Sequence, residues 1–108
     1  MPRGMNTKEY QTVKKAFPSL SDAIARQGII EWVCGRLFAE GLITDVQRAE
    51  ASNKFVAAAS RASTITGLLL NKVEQDAKYF QTIIGVLQQD TDTFGTVLKQ
   101  MGITAIGE

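Results

Sequence analysis

Few side chains in this sequence could perform chemistry. The chain contains no histidine and a single cysteine, Cys34. A cysteine nucleophile needs a base or a cationic environment to form its thiolate, and a usual zinc site needs several cysteine or histidine ligands. Cys34 lies among apolar residues, where a small buried thiol is the common case. The sequence therefore predicts no catalytic residue, no cofactor, no metal site and no enzymatic activity.

Two close pairs of carboxylates are explained by helix boundaries. Glu74 with Asp76, and Asp90 with Asp92, lie near the ends of predicted helices, where acidic residues act as caps or occupy the first turn. The glycines are scattered singly in helical contexts and form no glycine-rich phosphate loop. These residues indicate local structure and not a site of reaction.

Length and composition indicate one soluble domain. A chain of 108 residues that is 44% hydrophobic and 21% charged can bury one core. One cysteine cannot form an internal disulfide, and no apolar run reaches the roughly 20 residues needed to cross a bilayer. We therefore expect a cytoplasmic protein.

Charge is distributed unevenly along the chain. The formal net charge is +1. Residues 1–15 carry several basic side chains against Glu9 alone, whereas residues 79–108 carry more acidic side chains against Lys99 alone. This asymmetry favours head-to-tail association over uniform attraction to a polyanion.

The apolar residues recur at helical spacing throughout, with no strand-like alternation. We predict an all-α bundle of six helices in residues 18–102. A basic extension with a short extra helix is expected in residues 1–17, ended by Phe17-Pro18-Ser19, and a frayed tail in residues 103–108. The predicted inward residues of the bundle are Ile30, Val33, Cys34, Leu37, Val46, Ala49, Ile65, Leu68, Leu69, Val73, Phe80, Ile83, Ile84, Leu87, Phe94, Val97, Leu98 and Met101.

A tight corner between two helices is predicted at residues 29–44. Gly41 is expected to end the first helix, and Thr44 to cap the next one, with Gln47 as its capping-box partner. The same reasoning predicts caps at Asp76 and at Asp90 or Asp92, and a helix end at Gly102.

Three segments carry a resemblance to a known family. Residues 36–44 (RLFAEGLIT), 68–73 (LLLNKV) and 79–87 (YFQTIIGVL) resemble the corner after the second helix and the fourth and fifth helices of the death-fold superfamily. The chain is most similar to a caspase recruitment domain over residues 19–102. Death-effector, pyrin and plain death domains stay open as alternatives.

The resemblance implies a Greek-key bundle that pairs with its own kind in cell-death or innate-immune signalling. Such domains associate through complementary charged faces and often form helical filaments, so the expected partners are copies of this chain and similar domains. The resemblance implies an acidic face and a basic face, for which the candidate residues are Glu31, Glu40, Asp45 and Glu50 on one side and Arg26, Lys54, Arg61 and Lys72 on the other.

Trp32 points away from the predicted apolar stripe of its helix. An aromatic residue in that position is either an interface anchor or is covered by another element. The candidate cover is the N-terminal helix, through Tyr10, Val13 or Phe17. Phe38, at the opposite edge of the stripe, is predicted to be core.

A helix-turn-helix nucleic-acid binder is the alternative function. Residues 41–44 could form the turn before a recognition helix that carries Gln47 and Arg48. That helix begins with Asp45 and also contains Glu50, and phosphate repels both carboxylates. The sequence therefore favours a protein partner and no binding of nucleic acid or membrane.

Overall fold

The computed structural model describes residues 7–103, which form six α-helices and no strand. The predicted all-α class and the six-helix bundle are confirmed. The predicted tail at 104–108 and residues 1–6 of the predicted extension lie outside the described residues. The helices are α1 (Lys8–Ile24), α2 (Ile29–Ala39), α3 (Asp45–Ala51), α4 (Ala58–Gln75), α5 (Tyr79–Leu87) and α6 (Thr91–Gln100).

The predicted helix break at Pro18 is wrong. α1 continues through Pro18 as one helix and so spans the predicted boundary between residues 17 and 18. Proline lacks the N–H that would bond the Lys14 carbonyl. Pro18 is exposed, so water can hydrate that carbonyl, while Leu20 and Ile24 beyond it are buried. Packing of the far half of α1 outweighs the local preference of the proline.

The packing of α1 sets the centre of the bundle. Its most extensive contacts are with α4, followed by those with α6. A pair of hydroxyls, one half-buried and one buried, joins α1 to α4: Ser21 Oγ donates to Thr66 Oγ1 at 3.0 Å. Thr66 Oγ1 in turn donates to the Ala62 carbonyl at 2.9 Å, so this polar group is satisfied inside the core.

The predicted corner between α2 and α3 is confirmed. Gly41 has φ +76°, and its N–H donates to the Phe38 carbonyl at 3.0 Å. The Leu42 N–H reaches back to the Leu37 carbonyl at 2.9 Å, and both leucines are buried. This pattern of two reversed hydrogen bonds and an apolar contact is a Schellman motif. The buried leucines fix the direction in which the chain leaves α2.

The predicted caps of α3 and α6 are also present. Thr44 Oγ1 accepts from the Gln47 N–H at 3.1 Å, and the Gln47 side chain accepts from the Thr44 N–H at 2.8 Å. Asp90 accepts from the Thr93 N–H at the start of α6. Asp76 instead accepts from the Lys78 N–H in the turn before α5, and the N-cap of α5 is Lys78.

The core matches the predicted stripes of α2, α5 and α6, while Leu68 on α4 is half-buried. Three predicted core residues lie on the surface: Phe38 is 40% exposed, Val46 is 68% exposed, and Ala49 is exposed. α3 has seven residues, of which only Ala51 is buried. The bundle covers only the last turn of α3, which is a tertiary feature that the periodic pattern does not report.

None of the helices in residues 7–103 combines the length and apolar character needed to cross a bilayer.

Candidate interaction site

A groove lined by basic side chains lies at the N-terminal end of α2. It occupies about 450 Å³ between the α1–α2 turn, α2, the α3–α4 loop and the first turn of α4. We call it the basic groove, and its charged residues are Arg26, Glu31, Lys54 and Arg61. Arg26 and Lys54 are exposed, and neither pairs with a carboxylate among residues 7–103. These two cations are therefore available to a partner.

Arg61 has a structural role in this groove. Its Nε donates to the Val56 carbonyl at 3.0 Å, and an Nη donates to the Ala51 carbonyl at 3.1 Å. The same Nη lies 3.7 Å from a Glu31 carboxylate oxygen, and the Arg61 side chain is only 12% exposed. The fork of guanidinium donors suits such simultaneous contacts. Arg61 holds the end of α3 and the following loop against α4.

The four acidic residues of the predicted face lie in two places. Glu31 lies in the first turn of α2 and Glu40 is its C-cap, nine residues later, which separates them by about 14 Å along the helix. Glu50 is exposed in the last turn of α3, next to Ala51, whose carbonyl accepts from Arg61. Glu40 and Asp45 flank the corner between α2 and α3 and are both exposed. We call this pair the acidic end.

Lys72 does not lie with the other predicted basic residues. It shares a groove with Leu42 and Thr44, at the corner between α2 and α3. Its Nζ is 5.3 Å from the centroid of the Tyr79 ring, a distance at which a cation is attracted to an aromatic face. The basic charge that a partner could reach at the opposite end of α2 therefore comes from Arg26 and Lys54.

A second groove adjoins the acidic end. It has a volume of about 330 Å³ and runs along α5 beside Glu40. We call it the α5 groove, and its lining residues are Glu40, Gln81, Thr82, Gly85, Val86 and Gln89.

Trp32 is half-buried and packs against the core. Its ring lies 6.5 Å from that of Phe94 at an interplanar angle of 28°, and the Arg36 guanidinium carbon lies 5.8 Å from the Trp32 ring centroid. Phe94 of α6 therefore covers part of the Trp32 ring, and the predicted cover by Tyr10, Val13 or Phe17 stays a prediction. The contact explains why an aromatic residue is placed off the main stripe of α2.

Cys34 is a buried thiol inside α2. Burial, together with a smaller effect of the Glu31 charge, raises the pKa of the Cys34 thiol to about 11, although Arg48 and Arg61 act in the opposite direction. The Cys34 thiol is therefore protonated at neutral pH, which disfavours nucleophilic attack. Among residues 7–103, no three cysteine or carboxylate side chains are grouped so that they could hold a metal ion.

Phe55 is a surface feature that the sequence pattern did not single out. It is completely exposed, at 101% of its reference accessibility, in the loop between α3 and α4. Its neighbours at helical spacing are Ala51, Ser52, Ala58 and Ala59, none of which offers a large apolar partner. The lack of a large apolar residue at these positions could have predicted from the sequence that Phe55 is exposed.

Comparison with family models, with curated proteins and with solved structures gives no match to this chain.

Proposed function

We propose that this chain is a protein-interaction domain that associates head to tail with copies of itself or with similar helical domains. In this proposal the bundle is a Greek-key death fold of the caspase-recruitment type, and the domain acts in cytoplasmic cell-death or innate-immune signalling. The six helices and the residues at the corner after α2 support the proposal.

One observation carries the proposal: opposite charges that a partner could reach lie at the two ends of α2. Arg26 and Lys54 line the basic groove at its N-terminal end. Glu40 and Asp45 flank its C-terminal end and are exposed. A second copy, translated roughly along α2, can bring its acidic end against the basic groove. Because the two surfaces differ, a copy that is bound through one of them still presents the other to a further copy.

A contact of this kind is heterologous, and it produces an open helical polymer unless its rotation closes a ring. One exposed ion pair contributes about 0–1 kcal/mol, so charge alone would not hold the assembly together. Several complementary pairs increase the rate of encounter and fix the register, while desolvated apolar contacts supply most of the affinity. Assembly should therefore depend on both the charge pairs and the apolar contacts.

The hydrogen bonds of Arg61 make this residue unsuitable for a test of the charged contact. Reversal of Arg61 would break its bonds to Ala51 and Val56 and disturb the loop, so a loss of assembly would have two explanations. Arg26 and Lys54 have no such bonds in the described part of the chain. We therefore expect the double variant Arg26→Glu, Lys54→Glu to abolish association and to keep the helical content of the wild type.

Sedimentation velocity measures this effect directly. The wild type is compared at about 0.01 M salt, where charges act over about 30 Å, and at about 1 M, where they act over about 3 Å. We expect larger species at low salt. The control variant Lys14→Glu, Lys99→Glu changes the net charge equally at two exposed positions of α1 and α6 and should assemble like the wild type. Equal assembly of all three proteins would refute the proposal.

The same sedimentation experiment tests the alternative of a nucleic-acid binder, since a labelled DNA duplex can be included. α3 offers only seven residues as a recognition helix, and Asp45 occupies its first position. We expect the duplex to sediment as free DNA at every salt concentration.

A further inference from the structure

Phe55 occupies the most exposed apolar position of the described residues, and its loop is ordered by hydrogen bonds. Asn53 Oδ1 accepts from the Phe55 N–H at 3.0 Å, and the Asn53 carbonyl accepts from the Val56 N–H at 3.1 Å. Arg61 bonds the carbonyls of Ala51 and Val56, one on each side of Phe55. A loop held in this way loses little conformational entropy when its aromatic side chain binds a partner.

Lys54 and Phe55 are consecutive, so the loop presents a cation and an aromatic ring together. Lys54 lines the basic groove, which makes the loop part of the surface assigned above to one side of the head-to-tail contact. Aromatic residues are enriched in the buried centres of interfaces, and charged residues in their rims.

The α5 groove combines the complementary features. Glu40 lies at its border, Gly85 leaves part of its surface without a side chain, and Val86 is buried beneath it. A Cβ atom built on Gly85 would meet nothing within 4 Å, so the glycine leaves open space on the helix surface. An apolar side chain from a partner could enter this space without displacing any residue of the bundle.

We propose that Phe55 of one copy inserts into the α5 groove of the next copy, with Lys54 beside Glu40. This inference rests on the proposed function, because it supplies the apolar contact that the charged ends require. The occupant is a second copy of this chain, since the loop lies at the basic end, the groove at the acidic end, and their charges are complementary. The contact is heterologous and can be repeated along a polymer.

Two substitutions on opposite sides of the contact test this inference. Phe55→Ser removes the inserted ring, and its complete exposure means that the core loses nothing. Gly85→Leu fills the groove, and leucine favours a helix more than glycine does. We expect each variant to raise the Kd of self-association at least about tenfold, as loss of a central interface residue does, with the unfolding transition preserved.

A matched control separates this effect from a general change of the surface. Gly95→Leu in α6 replaces another helical glycine whose Cβ would meet nothing within 4 Å. This control should associate like the wild type. If Phe55→Ser and Gly85→Leu also associate like the wild type, the inference is overturned.

The result also distinguishes this inference from the proposed function. Unchanged association of Phe55→Ser, with loss of association in Arg26→Glu, Lys54→Glu, would overturn the Phe55 contact and leave the charged ends supported. Retained association in both variants would reject both, as would a wild type that is monomeric at low salt. A photo-crosslinking amino acid at position 55 gives a direct readout: we expect adducts on residues 81–89 of a second copy, and adducts confined to other segments would contradict the contact.

Discussion

α3 and α5 are short helices of similar length that are held in place in different ways. Five of the nine residues of α5 are buried, whereas one of the seven residues of α3 is buried. α5 is positioned by the core. α3 is positioned by the capping box at its start and by Arg61 at its end. The comparison indicates that α3 and its loop can change their outward side chains at little cost to the fold, as a binding surface requires.

The largest expected effect comes from the core of α5. Ile83 is 1% exposed, and Ile83→Ala should lower the free energy of unfolding by about 3 kcal/mol, because it removes buried methyl groups and leaves a cavity. Val46→Ala in α3 should stay within about 0.5 kcal/mol of the wild type. Denaturant titration measures both values. Equal losses would show that α3 depends on apolar packing as much as α5 does.

The next effect concerns Arg61, which substitutes for packing at the end of α3. Arg61→Ala should cost about 2 kcal/mol, because hydrogen bonds from a charged donor contribute about 1.5–3 kcal/mol. Arg61→Lys should not restore the loss, since an ammonium group cannot reproduce the fork of donors. Lys54→Ala is the control and should be neutral. A neutral Arg61→Ala would mean that the α3–α4 loop does not depend on this side chain.

A smaller effect is expected at the start of α3. Thr44→Ala removes the N-cap and should cost about 1 kcal/mol, with faster hydrogen exchange at the Gln47 amide. Thr96→Ala, at an exposed position inside α6, tests the same chemical change away from a cap and should not destabilise the protein. If the two substitutions have the same effect, the capping box does not hold α3.

The smallest effect should follow loss of the ion pair between Glu31 and Arg61. The oxygen and nitrogen are 3.7 Å apart and the Glu31 side chain is 54% exposed, so Glu31→Gln should cost at most about 1 kcal/mol. The control is Glu50→Gln, which changes an exposed carboxylate of α3. A loss as large as that of Arg61→Ala would assign the role of Arg61 to this ion pair and not to its two carbonyl bonds.

Local signals in the sequence predicted the helix boundaries at the corner between α2 and α3. Gly41 and Thr44 act through hydrogen bonds within a few residues, so their types and spacing are sufficient to predict the corner between α2 and α3. Pro18 misled the prediction because the packing of Leu20 and Ile24 is a tertiary effect.

The candidate site was less predictable from the sequence. The contact between Glu31 and Arg61 joins residues thirty positions apart, and only the fold reveals it. This contact shows that the predicted acidic and basic faces meet at Glu31 and Arg61. The exposed charges that remain are Arg26 and Lys54 near the N-terminal end of α2, and Glu40 and Asp45 near its C-terminal end. Exposure of Val46 likewise depends on how little of α3 is covered, which periodicity does not report.

The central claim is that two different ends of this domain bind each other, and mixing of complementary variants tests it most directly. Arg26→Glu, Lys54→Glu retains a native acidic end, and Glu40→Lys, Asp45→Lys retains a native basic groove. We expect each variant to sediment as a monomer at low salt and an equimolar mixture to form a one-to-one complex. A mixture that remains monomeric while the wild type assembles, or variants that assemble alone as the wild type does, would contradict the claim.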